Sequence, residues 1–149
     1  MVAPQTDING KAMQQLDLDN ALLIVNPEAS LIELLWQRPF SSQDYRCVYQ
    51  TALDKACEFL IRNWFIDIRK RGLPAYEDED WWYTTFLAWM KELAPKGNQV
   101  AVLLLEEDYN QLICRYNLFW SKIDPEFLSI NYFTSEEDAK DWLNDFIKK

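Results

Sequence analysis

A chain of 149 residues, 49% hydrophobic and 15% aromatic with only three glycines and six prolines, can fill one sizeable core and leaves little room for disorder. Its 24 acidic side chains outweigh 15 basic ones, and the resulting formal charge of −9 repels phosphate backbones and anionic membrane surfaces, which argues against nucleic-acid binding. Histidine is absent, so the usual general base, nucleophile activator and commonest transition-metal ligand are missing, and neither a cofactor nor a metal is expected.

The first 19 residues are polar with no clear apolar period and read as a loosely ordered leader; residues 20–149 read as a single domain. The apolar runs 21–25 and 31–36, separated by Asn26, Pro27 and Ser30, predict two strands of a β-hairpin. Ser41, Ser42 and Asp44 then offer caps for a helix whose Tyr45, Val48, Tyr49, Ala52, Ala56 and Leu60 recur at helical spacing. Residues 63–69 are aromatic and β-branched and stop at Gly72 and Pro74, which predicts a strand.

The acidic run Glu77-Asp78-Glu79-Asp80 suits a helix start, and Trp82, Phe86, Trp89, Met90 and Leu93 follow on one stripe. Residues 100–105 are apolar at every position, the pattern of a parallel strand covered on both faces and the best candidate for the central strand. A further helical stripe runs from Tyr109 through Leu112, Tyr116 and Trp120. Residues 128–133 alternate in polarity like a strand near the sheet edge, and Thr134 with Glu137 offers a capping box for a closing helix. A hairpin followed by alternating helix and strand predicts an α/β fold: a mixed five-stranded sheet, antiparallel only at its first strand, with about four helices joined to it by right-handed crossovers.

The three cysteines, Cys47, Cys57 and Cys114, are odd in number and lack metal-ligand spacing, so they read as small apolar fillers in a reducing, cytoplasmic setting. No basic-then-apolar leader opens the chain, and no apolar run nears the ~20 residues a membrane span needs; neither export nor membrane insertion is expected.

This element order, with Glu33-Leu34-Leu35-Trp36-Gln37-Arg38, Trp64-Phe65-Ile66-Asp67-Ile68-Arg69 and the tail from Ile130 through Thr134-Ser135-Glu136-Glu137 to Leu143, resembles the SpoIIAA-like (STAS) family of small single-domain bacterial proteins. The resemblance implies helices gathered mainly on one face of the sheet and a non-enzymatic, regulatory role. In the family's anti-anti-sigma branch a serine at the start of the second helix is phosphorylated. Here that stretch reads Pro74-Ala75-Tyr76-Glu77-Asp78-Glu79-Asp80 and holds no serine, leaving Ser41, Ser42, Thr84 and Thr85 as weak substitutes.

Consecutive acids point around a helix rather than converge, so the run from Glu77 is a solvated helix start before it is a catalytic pair. Asp67, at the end of an apolar strand, fits an acid that orients the following loop or meets Arg69 or Arg71. Trp81, Trp82, Tyr83, Phe86 and Trp89 crowd one helix and cannot share one stripe; the surplus either covers the core or forms an exposed patch. The expected interaction surface is therefore Asp67, Arg69, Arg71, Tyr76, Asp78, Trp81 and Trp82, with a protein as partner. The alternative is a carrier or sensor of a small apolar or lipid-like ligand, and the Arg69-Lys70-Arg71 trio beside Tyr76 also suits an anionic head group. An uncovered aromatic face would favour a homodimer.

Overall fold

The computed structural model describes residues 5–6, 12–119 and 123–147. Strands β1 (Gln5–Thr6), β2 (Ala12–Asp17), β3 (Ala21–Asn26), β4 (Leu31–Trp36), β5 (Asn63–Asp67), β6 (Asn98–Leu103) and β7 (Leu128–Phe133) lie side by side in chain order. Pairing is antiparallel from β1 to β4 and parallel from β4 to β7. The α/β class and the hairpin-then-parallel order agree with the sequence; the expected five strands become six of full length, with the two-residue β1 on the outer edge.

The additional strand, β2, falls inside the stretch expected to be a loose leader. Its signal is faint because Leu16 is the one buried side chain among residues 13–17, while Met13, Gln14 and Gln15 are half-buried. Residues 1–4 and 7–11 of that leader lie outside the described residues. The added strands also move the middle of the sheet: β6 is covered on both faces as its apolar run requires, but it stands next to the edge strand β7.

Helix α1 (Ser42–Phe59) begins where Ser41 Oγ accepts the Asp44 N–H at 3.1 Å, and it buries Tyr45, Val48, Tyr49, Ala52, Leu53 and Ala56. It ends at Leu60, in the left-handed region at φ 56° with its side chain 81% exposed. The next helix is continuous but not uniform. Regular turns α2 (Tyr76–Trp81) and α3 (Leu87–Leu93) flank a wide turn over Trp82–Phe86, where the Leu87 N–H reaches back five residues to the Trp82 carbonyl. Phe86 and Leu87, at the end of this turn, are both buried. Helix α4 (Glu106–Phe119) follows β6, and α5 (Glu136–Ile147) follows β7. The cap of α5 is Ser135, which accepts the Asp138 N–H at 3.3 Å, one residue later than the expected Thr134 box.

Parallel strands laid down in chain order, joined by crossovers of one hand, place every connecting helix on the same face. Side chains of α1, the Trp82–Phe86 turn, α3 and Leu112 of α4 accordingly share one core with Ile32, Leu34, Trp36, Trp64, Ile66, Val100 and Val102. On the opposite face α5 alone contributes Ala139 and Leu143 to a smaller core with Phe65, Ala101 and Leu103. No helix among the described residues is long and apolar enough to cross a membrane.

All three cysteines are exposed, which overturns their reading as core fillers: each takes an outward position between the buried stripes of its helix. A thiol-specific chromophore should therefore titrate all three in the native protein without unfolding it; a thiol that reacts only in denaturant would contradict this placement. Phe86, fully buried against Tyr49, Trp64, Trp81 and Trp82, marks the centre of the larger core. Its replacement by alanine is expected to lower stability in urea unfolding by about 3–5 kcal/mol.

Candidate functional site

Strand β5 delivers the chain to the turn that organises this end of the sheet. Asp67 grips Arg69 through both oxygens, at 3.0 Å to Nε and 2.8 Å to Nη2, and accepts the Arg69 backbone N–H at 3.1 Å. It thus orients the loop and meets Arg69, as its place at the strand end suggested. The backbone N–H groups of Arg71 and Gly72 both return to the Ile68 carbonyl at 3.1 Å, and Gly72 closes the turn at φ 80°, where a residue without Cβ is unstrained.

That turn sends the Arg71 side chain inward. Its guanidinium carbon lies 5.0 Å from the Trp36 ring centroid and 5.3 Å from those of Phe40 and Tyr45. Its Nη1 donates to the Tyr49 hydroxyl at 3.2 Å and its Nε to the Gly72 carbonyl at 3.1 Å. Burial, with Tyr49 beside it, raises the Tyr45 phenol well above its ordinary range, while the Arg71 charge pulls the other way.

Helix α2 packs over this cage with its acids divided. Glu77 is exposed, as a helix start predicts, but Asp78 and Glu79 are buried. Asp78 turns to α1, where its Oδ2 accepts from Ser42 Oγ at 2.9 Å and its Oδ1 lies 3.9 Å from Arg46. Glu79 turns to α4, where Arg115 Nη1 lies 3.4 Å from its Oε2 and also donates to the Pro74 carbonyl at 2.6 Å. The two carboxyls diverge and cannot divide acid and base roles on one substrate. Burial raises the Glu79 carboxyl above the usual carboxylate range, and Arg115, with the Arg71 charge, opposes that shift. Among the described residues no cluster of acids or thiols is placed to hold a metal ion.

Between the cage, α2 and the ends of β5 to β7 lies a cavity of about 50 Å³, walled by Tyr49, Arg71, Glu79, Trp82, Tyr83 and Tyr132 among others. The hydroxyls of Tyr83 and Tyr132 meet across it at 2.8 Å. Glu79 Oε1 and Trp82 Nε1 are buried with no hydrogen-bond partner.

The expected interaction surface is thereby split. Arg71, Asp78 and Trp82 are interior: Trp82 shares the buried stripe with Asp78 four residues before it and Phe86 four after, and the Gly72 turn folds Arg71 back on the rings. Tyr76 is exposed, Arg69 is partly exposed and Trp81 is half-buried. Arg46 lies over the Trp81 ring at 5.4 Å, and Trp89 meets that ring edge-on at 6.0 Å. Arg46, Tyr49, Arg115 and Tyr132 were not singled out in the sequence. Tyr49 showed only as part of an apolar stripe, and nothing local distinguishes Arg46, Arg115 or Tyr132.

A carboxyl raised by folding keeps its proton where the unfolded chain has lost it, so its contribution to stability falls as pH rises above the ordinary value of 4.5. Glu79→Gln should flatten the decline of the thermal midpoint across that interval; the same decline in variant and parent would refute the assignment. Comparison of the chain with protein-family models, with curated proteins and with solved structures finds no match in any of the three.

Proposed function

We propose that the chain is a non-enzymatic, regulatory binding module of the cytoplasm that docks a protein partner through the outer side of α2. The observation that carries this reading is Trp81, held half-exposed between the Arg46 guanidinium and the Trp89 ring and next to exposed Tyr76. Tryptophan, tyrosine and arginine are the residue types that most often dominate interface energetics, and a ring already braced by neighbours loses little freedom on binding.

The absence of histidine and the divergence of Asp78 from Glu79 support a role without catalysis. The resemblance to SpoIIAA-like domains supports a partner-binding role, and successive β-α units with their helices on one face are in keeping with it. Control by phosphorylation draws no support from the weak substitutes: Ser41 caps α1, Ser42 donates to buried Asp78, and Thr84 donates to the Asp80 carbonyl. A lipid-like cargo draws no support from the cavity beneath α2, whose volume of about 50 Å³ falls well short of the ~300–1,000 Å³ of ordinary ligand pockets.

The test is affinity recovery from the source cells with the parent chain, Tyr76→Ala, Trp81→Ala and, as control, Trp142→Ala on α5. Each patch substitution is expected to weaken binding by about thirtyfold, the effect of a 2 kcal/mol anchor, with unchanged circular dichroism. The control should retain the partner. Equal recovery by all four proteins would remove the proposal.

A further inference from the structure

Arg71 is only 8% exposed, yet among the described residues no carboxylate forms an ion pair with it. Buried charges are ordinarily paired, and the rings of Trp36, Phe40 and Tyr45 offset only part of the loss of water. Two residues of the same wall each bury a polar atom that has no hydrogen-bond partner, the donor Trp82 Nε1 and the acceptor Glu79 Oε1. The Tyr49 hydroxyl accepts from Arg71, so its own hydrogen is available to donate. The site also lies where open α/β sheets take ligands, outside the carboxyl ends of parallel strands.

These groups specify a ligand by charge, size and bonding. A guanidinium that faces the Glu79 carboxylate only from beyond ion-pair distance calls for a closer anion, and that same carboxylate disfavours a second negative charge. The volume of about 50 Å³ confines the ligand to a few heavy atoms. The unpartnered Glu79 oxygen requires a donor beside the anionic group.

We propose that this cavity binds a small monocarboxylate bearing a hydroxyl or ammonium group on the neighbouring carbon. Its carboxylate accepts from Arg71, the Tyr49 hydroxyl and the Trp82 indole N–H, and its hydroxyl or ammonium donates to Glu79 Oε1. The site is separate from the docking patch, which occupies the outer side of the same helix, and stands or falls independently of it.

The indole N–H of Trp82, assigned through Trp82→Phe, reports binding directly by proton–nitrogen NMR of the full chain. Glycolate and glycine, the probes for the two donors, are expected to shift that resonance saturably in at least one case. Acetate should bind at least tenfold more weakly and inorganic phosphate not at all. Arg71→Gln should weaken glycolate binding about tenfold to a hundredfold, as loss of a charge-assisted hydrogen bond does. If that variant does not fold, Glu79→Gln carries the test: it should retain acetate and lose most of the preference for glycolate. No shift with either glycolate or glycine, parity of acetate with glycolate in the parent, or an unaltered preference in Glu79→Gln would overturn the proposal.

Discussion

The enclosure of one guanidinium by three aromatic rings holds this end of the molecule together. Trp36 comes from the end of β4, Phe40 from the loop beyond it and Tyr45 from the first turns of α1, while Arg71 arrives from the turn after β5. The stretch from Trp36 to Tyr45 and the turn at Arg71 are thus fastened at one point. The fastening is directional, because a planar cation over ring faces and a fork bonded to the Tyr49 hydroxyl fix orientation as well as distance. With Arg71 inside, the loop must leave the sheet along one path, and that path sets where α2 begins.

The placement of α2 explains how one short helix presents two chemistries. Its inner side offers Asp78 and Glu79 to separate neighbours, whereas its outer side leaves Tyr76 and part of the Trp81 ring toward solvent. The wide turn over Trp82–Phe86 lets this arrangement coexist with the regular stripe of α3. Wide turns of this kind occur often at functional positions, since they permit local side-chain placements that a regular helix forbids.

How much of this was legible in the sequence depended on whether a residue's role was set locally. Strands β3 to β7 and the helices between them announce themselves through apolar period, and β7 through its polar alternation. Strand β2 does not, because Leu16 is the one buried side chain among its residues 13–17, which leaves almost no pattern. The basic trio showed a charged loop, but which of Arg69 and Arg71 turns inward is decided by the Gly72 turn and by rings brought from elsewhere. Asp78 and Glu79 looked like a solvated helix start for the same reason: their burial depends on α1 and α4 closing over them, which neighbouring residues cannot encode.

The two faces of the sheet are insulated unequally. One carries three crossover connections whose side chains merge into a single large core, and the other relies on α5, seated on Phe65, Ala101 and Leu103. Its polar moorings, Lys140 to Glu33 at 3.2 Å and Glu136 to Arg69 at 3.6 Å, are partly solvated and add little holding force. A segment retained by so few buried groups detaches at a smaller free energy than global melting requires, as a separate cooperative unit. The least durable shelter in the protein therefore covers the rear of β5 and β6, the strands that end beneath the arginine cage.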